Sequence, residues 1–258
     1  LVGSNGRGKT NIVEAIYYLA TLNSHRVASE NSLVKFGAAS AVIRSKIYQD
    51  ERALTIDIEI SPGKTNRAKL NRSPVPRVRD ILGIVRVIMF APEDLALVKG
   101  DPSERRNFMD QTLIQRTPKF LGVKSDYEKV LRQRNALLKS SNRENIDSTL
   151  QVWNDQLAQL GAEITYSRIQ FIRELTPFIC TRYHLISGGE NAVSASEISL
   201  TYQSKYLTGG DLESLTRDEI KEHILEQLGV RKKEEALRGV TLVGPHRDEL
   251  FIQLGALP

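Results

Sequence analysis

The sequence predicts an α/β protein in two parts: a β-rich first part that opens with a phosphate-binding loop, and a mainly helical second part. Three observations carry this. The pattern G-x-x-x-x-G-K-[ST] is met in full by Gly3, Ser4, Asn5, Gly6, Arg7, Gly8, Lys9 and Thr10. Residues 41–49 and 53–60 show strand character, and the second of these alternates strictly. Beyond about residue 103 the spacing of apolar residues becomes helical.

The loop comes first. A polyphosphate is held by consecutive backbone N–H groups, so the chain must curl tightly and approach closely. Glycine permits both. Lys9 supplies an ammonium for the β and γ oxygens, and the Thr10 hydroxyl is the expected Mg²⁺ ligand. Asn11 lies beside them at the start of the next helix. That helix is read from Ile12, Val13, Ile16, Tyr17, Leu19 and Ala20 at helical spacing, and its positive end faces the phosphates. The alternative is a chance match to a loose pattern. Before the loop stand only Leu1 and Val2, where a strand of about five residues is expected. The reading is therefore that residues preceding Leu1 are missing from the chain.

In 53–60, Leu54, Ile56, Ile58 and Ile60 alternate with Thr55, Asp57 and Glu59, as in a half-buried strand. The stretch 67–80 is strand-like and broken by Pro74 and Pro76. From Lys64 to Arg79 run six basic residues (Lys64, Arg67, Lys69, Arg72, Arg77 and Arg79) without an acid. Such a run is either a solvated face or a nucleic-acid backbone surface. No aromatic residue interleaves it, which favours duplex backbone over a single-strand stacking platform. Residues 85–90 read as a short buried strand. Residues 126–140 read as a helix. A longer helix then carries Leu150, Trp153, Leu157, Leu160, Ile164 and Phe171 as an apolar stripe, read as lobe packing, which Thr176 and Pro177 kink or end. A β-like alternation at 186–211 and a helix at 216–228 come next. The closing stretch gives a buried strand at 239–244, the polar turn Gly244–Asp248 and a strand at 249–254. Lys124, Lys129, Arg132 and Arg134 offer a second basic surface.

The net charge of +5 mildly favours an anionic partner. Cys180 is the only cysteine, so neither an internal disulfide nor a cysteine metal cluster can form, which suits a reducing cytoplasm. No apolar run approaches the ~20 residues of a membrane span.

Hydrolysis needs a second carboxylate for Mg²⁺ and a water-orienting residue. The stretch 85–95 imitates a Walker B strand, but Ala91 and Pro92 separate the strand from Glu93 and Asp94. The stretch 186–191, Ile-Ser-Gly-Gly-Glu-Asn, imitates an ABC signature, but residues 191–202 alternate like a strand instead of opening a helix. Neither is accepted. Both ends of the catalytic unit are expected to lie outside residues 1–258.

Four stretches together resemble the RecF family of bacterial recombination mediators: residues 1–26; "FAPEDLALVKGDPSERRNFMD", with Met109 where the family usually has Leu; "YEKVLRQRNALLK"; and "GPHRDEL". The resemblance covers essentially the whole chain. It implies an ABC-type ATPase head with an inserted helical lobe, divided as 1–108 plus 239–258 for the head and 109–238 for the lobe. It implies ATP-driven dimerisation, weak DNA-stimulated hydrolysis, and binding to duplex DNA and single-strand/double-strand junctions, with RecO and RecR as partners in loading recombinase. Gly3–Thr10 and Asn11 would hold ATP·Mg²⁺. Arg26 resembles the arginine that SMC-type heads place near the γ-phosphate. Glu93, or its neighbour Asp94, stands at the Q-loop position in a catalytic role. Arg105 and Arg106 join the basic run as DNA candidates, and His246, Arg247 and Asp248 are candidates for the dimer interface or the nucleotide. The competing readings are an SMC-like architectural head, which needs a long coiled-coil arm, and a metabolic P-loop kinase, which needs a Walker B aspartate within the chain. Residues 1–258 alone are expected to bind nucleotide weakly without turnover.

Overall fold

A computed structural model describes residues 1–27, 29–49, 52–140, 146–186, 198–207 and 211–255. The chain forms two compact units, Leu1–Ala91 with Ile114–Pro118, and Pro92–Leu113 with Lys119–Pro258.

In the first unit, helix α1 (Lys9–Thr21) precedes an antiparallel sheet ordered β1 (Ala41–Gln49), β2 (Arg52–Ile60), β3 (Arg67–Leu70) and β4 (Ser73–Pro74). The alternation in β2 decides which face is covered. Ile56, Ile58 and Ile60 are buried, and Ala68 of β3 pairs with Ile58. Tyr18 and Leu19 of α1 join them in one core with Ile81. Each buried isoleucine contributes about 1.5–3 kcal/mol by removal from water. The stretch expected to be strand-like and broken is a hairpin. Asn71 and Arg72 turn it with φ of 49° and 69°, the left-handed pair of a type I′ turn. The Asn71 carboxamide accepts from the Thr55 N–H at 3.0 Å. Pro74 sits in the terminal strand β4, where its missing N–H costs no ladder bond.

Residues 85–90 correct an expectation. They make no strand, only a single bridge between Leu82 and Val85, and Ile88 and Phe90 are exposed. The alternation is present, but among the described residues no partner strand satisfies the backbone. The Val87 N–H instead donates to Gln115 Oε1 at 2.8 Å.

The second unit holds α2 (Ala96–Lys99), α3 (Pro102–Arg116) as far as Leu113, α4 (Lys119–Lys139), α5 (Ile146–Ile186), β5 (Ile198–Gln203), α6 (Arg217–Val230), α7 (Lys232–Arg238) and β6 (Glu249–Leu254). Strands β5 and β6 pair antiparallel. The stripe on α5 buries Leu150, Leu157, Ile164 and Phe171 against a packing face shared with α4, α6 and β5. Helix α6 starts where a capping box predicts. Thr216 Oγ1 accepts from the Glu219 N–H at 3.3 Å, and Glu219 Oε2 accepts from the Thr216 N–H at 2.8 Å. At Gly161 a Cβ would stand 3.2 Å from Ile224 Cδ1 and 3.3 Å from Pro245 Cδ, so glycine lets α5 approach α6 and the 245 turn closely.

Three further expectations are corrected here. Helix α5 does not end at Pro177 but runs on to Ile186. The Thr176 and Thr181 hydroxyls donate to the carbonyls of Ile172 and Pro177, each four residues back along the helix. Residues 239–244 are buried in part but form no strand. Side chains replace the ladder: Asn135 Oδ1 accepts the Thr241 N–H and Glu235 Oε1 accepts the Leu242 N–H, both at 2.7 Å. Arg134 is no surface cation. It is 1% exposed and donates to Glu235 (2.5 Å), Thr241 (2.7 Å) and Asn154 (2.8 Å). The signature-like stretch falls almost wholly at 187–197, outside the described residues. Residues 92–108 and 239–255, grouped with the head from the sequence, make their contacts within the second unit.

Candidate nucleotide and nucleic-acid site

The loop at 3–8 feeds directly into α1. Gly6 and Gly8 have φ of 77° and 80°, so a side chain there would be strained although space is open around both. Gly8 is the helix N-cap, and the first helical hydrogen bond is Ile12 N–H to Gly8 O. The N–H groups of Lys9, Thr10 and Asn11 thus have no partner within the helix. No acidic residue stands in the first turn to neutralise the dipole. Lys9 Nζ spans the loop, donating to Gly3 O at 2.5 Å and Ser4 O at 2.8 Å. Free donors, a positive helix end and an ammonium held at the loop mouth fit a phosphate chain. Among the described residues no group of three His, Cys, Asp or Glu could hold a metal. The Thr10 hydroxyl, in the first turn of α1, is the candidate that the loop itself offers to a Mg²⁺.

Arg26 lies on a loop stapled to the same helix. Ser24 Oγ donates to Glu14 Oε1 at 2.5 Å and accepts the N–H groups of Arg26 (3.0 Å) and Val27 (3.1 Å). Arg26 Nη1 is 3.8 Å from Glu14 Oε2. Glu14 follows Thr10 by one helical turn, so α1 carries both the loop and the residue that orients Arg26. The sequence points to Arg26 but not to Ser24 and Glu14, whose pairing is visible only once the loop folds back.

Five of the six residues of the basic run converge. Lys64, Arg67, Lys69, Arg77 and Arg79 line one open cavity of about 1360 Å³, joined by Arg44 of β1. Arg72 stands outside it at the hairpin tip. Of the acidic residues lining the cavity, Glu30 is occupied. Its Oε1 accepts from Tyr18 (2.6 Å) and Asn66 (2.8 Å).

In the second unit, Arg105 and Arg106 both bond within the fold. Arg105 pairs both ends of its guanidinium with Glu249, at 2.7 and 3.1 Å, and donates to the carbonyls of Leu97 and Gly100. Arg106 donates to the Asp248 carbonyl at 2.9 Å. Glu93 lies in the 3-10 turn Pro92–Leu95, and its side chain is outside the described residues. His246 is held at both ring nitrogens, by the Tyr127 hydroxyl at Nδ1 (2.7 Å) and the Thr241 carbonyl at Nε2 (3.2 Å). A carbonyl only accepts, so Nε2 carries the proton and Nδ1 accepts from Tyr127. Arg247 is exposed, with Nη2 donating to the Thr241 carbonyl at 3.3 Å. Asp248 is buried and accepts from the hydroxyls of Tyr202 and Tyr206. Arg168 pairs with Asp110 and donates to the Pro245 carbonyl at 2.7 Å, fixing the turn. No local pattern forecasts this cluster, because Tyr127, Arg168 and Tyr202 reach it from distant chain positions.

Burial pushes His246 down to about 4, and burial pushes Asp248 up to about 6. The signs oppose. Neutral His246 contributes stability that is present above the unfolded value of about 6.5 and is lost as pH falls through 4. Asp248 contributes stability that is present below about 3.9 and is lost as pH rises through 6. Each amounts to at most about 3 kcal/mol. Between pH 4 and 6 they largely cancel in the wild type. Thermal unfolding across pH 4–8 is expected to be flatter for the wild type than for either single variant. His246→Gln should lose stability with rising pH through 6, and Asp248→Asn should lose it with falling pH below 6.5.

No family model matches the chain. A protein from Streptomyces avermitilis named DNA replication and repair protein RecF is 47% identical over 264 residues, covering 100% of this chain and 68% of the relative. Two solved structures described as the recombination mediator protein RecF, as RecF-ATPrS and RecF-ATP, superpose with TM-scores of 0.86 and 0.85 at 26% and 25% identity. They cover 98% and 97% of this chain, which spans 66% and 65% of theirs. The fold is thus the expected α/β class, a P-loop ABC-type ATPase head with a mainly helical lobe. The sequence, the loop geometry and the fold agree: the chain belongs to the RecF family.

Proposed function

We propose that the protein is an ATP-gated DNA-binding protein of recombinational repair. ATP·Mg²⁺ sits in the Gly3–Thr10 loop with Asn11 and Arg26 beside it, and duplex backbone lies in the cavity lined by the basic run. One observation carries the reading. The loop, the orienting Glu14 and the cavity wall at Tyr18 and Leu22 all belong to α1 or its ends. Lys9 and Tyr18 are ~14 Å apart along the helix at 1.5 Å per residue. Ordering the loop around nucleotide therefore acts on the element that walls the DNA cavity.

The solved relatives, described with ATP and its analogue, support the nucleotide, and their place in the RecFOR pathway supports RecO and RecR as partners in loading recombinase at gaps and junctions. Weak DNA-stimulated hydrolysis, an ATP-dependent homodimer and a bacterial cytoplasmic location belong to the same proposal. So do the division into head (1–108 plus 239–258) and lobe (109–238), and roles for Glu93 at the metal and for His246–Asp248 at the dimer or nucleotide. Arg105 is assigned to the fold, since its donors face Glu249 and the Leu97 and Gly100 carbonyls, and Arg106 stays a phosphate-backbone candidate in the proposal. Among the described residues no helix is long and apolar enough to cross a membrane.

The test is the salt dependence of duplex affinity. Each phosphate contact contributes about −0.9 to the slope of log K against log salt. Replacing Lys64, Arg67 and Lys69 together by Gln is expected to reduce the slope by roughly 2–3 without changing nucleotide affinity. An unchanged slope would place the DNA elsewhere.

A further inference from the structure

Three helices of the second unit turn polar faces toward one crevice of about 190 Å³, closed by the turn at Pro245. Helix α3 contributes Arg106 and Asp110, α4 contributes Lys124 and Tyr127, and α5 contributes Arg168. The spacings are four, three and single positions on one helical face each, so the sequence aims these groups together.

The charges do not balance. Asp110, 3% exposed, is shared by Arg168, at 2.9 and 3.0 Å, and by Lys124, at 3.0 Å. Arg106 donates once, to the Asp248 carbonyl, and among the described residues it has no carboxylate partner. His246 adds no compensating charge, since its nitrogens are engaged by Tyr127 and Thr241. Three cations thus line a half-enclosed space with two carboxylates, the buried Asp110 and the exposed Glu128. Burial, and then the neighbouring Arg168, lower the proton affinity of Arg106, against the opposing pull of Glu249, Asp248 and Asp110. A half-buried cation without a partner is a cost to the fold, and an anion in the crevice offsets it. Guanidinium and ammonium donors converging from separate walls suit a tetrahedral oxyanion. The volume is enough to seat one phosphate group.

We propose that this crevice is a second anion site, taking one phosphate group held by Arg106, Lys124 and Arg168. The group is either the free ion or the terminal phosphate of a nucleic-acid strand. The site stands independently of the nucleotide loop at Gly3–Thr10.

The experiment titrates inorganic phosphate calorimetrically into the full-length protein carrying Lys9→Ala, which removes the loop as a competing phosphate site. Saturable binding is expected, weakened at least tenfold by adding either Lys124→Gln or Arg106→Gln. In Lys124→Gln the Arg168–Asp110 pair remains, so an unchanged melting temperature without phosphate certifies the fold. A phosphate-dependent rise in melting temperature, present in Lys9→Ala and lost in Lys9→Ala/Lys124→Gln, gives a second readout. A 5′-phosphorylated trinucleotide and its 5′-hydroxyl twin separate the sources. Displacement of phosphate by the phosphorylated form alone assigns a strand end, and displacement by neither assigns the free ion. No saturable binding in Lys9→Ala, binding left unchanged by either added variant, or equal displacement by both trinucleotides would overturn the proposal.

Discussion

Truncating Arg134 to alanine is expected to lower the stability of the folded chain by about 3–5 kcal/mol, read as a reduced urea midpoint at unchanged slope. The reason is the company it leaves. Arg134 and Glu235 are 1% and 0% exposed and pair at 2.5 Å. Glu235 also accepts the Leu242 N–H, and Thr241 Oγ1 accepts from Arg134 and donates to Asn135 Oδ1. One removal strands a carboxylate in the interior and loosens the segment that leads into Gly244–Asp248. Replacing both partners by apolar residues, Arg134→Met with Glu235→Leu, should cost less than the single truncation, because no charge is left unpaired. A loss below about 1 kcal/mol for Arg134→Ala would mean that water reaches the pair.

The largest expected functional effect is at Lys9. Its ammonium bridges the loop by hydrogen bonds to the carbonyls of Gly3 and Ser4. In the proposed nucleotide complex those donors would turn to phosphate oxygens. Charge-assisted hydrogen bonds contribute about 1.5–3 kcal/mol each, so Lys9→Ala is expected to weaken ATP binding by roughly 100-fold, while Lys9→Arg retains part of it. Equilibrium titration with a fluorescent ATP analogue in Mg²⁺ reads this directly. Equal affinities for wild type and Lys9→Ala would place the nucleotide elsewhere.

The legibility of this chain followed the range of the interactions. The phosphate loop, the alternation of β2 and the stripe on α5 are written in neighbouring residues, and the structure holds all three. The six cations from Lys64 to Arg79 were visible as a run, but only the hairpin at Asn71–Arg72 brings five of them onto one cavity and leaves Arg72 outside. Periodicity misled where burial and pairing part company. Residues 85–90 and 239–244 look like buried strands, yet one lacks a partner strand among the described residues and the other is satisfied by Asn135 and Glu235. Charge misled in the same way. Arg105 and Arg134 read as surface cations because a sequence does not display Glu249 or Glu235 beside them. The anchoring of Arg26 by Ser24 and Glu14, and the tyrosines around Asp248, were not legible at all, since each contact joins elements that meet only after folding.

The measurement that tests the ATP-gated reading most directly uses the full-length protein. Its affinity for duplex and gapped DNA is compared with ATP·Mg²⁺, without nucleotide, and in Lys9→Ala, at one fixed salt concentration. Tighter binding with ATP·Mg²⁺, lost in Lys9→Ala, is the expected result. The Lys64, Arg67 and Lys69 triple variant is expected to weaken binding in every condition. DNA affinity indifferent both to ATP and to Lys9 would contradict that reading and separate the phosphate loop from the DNA surface.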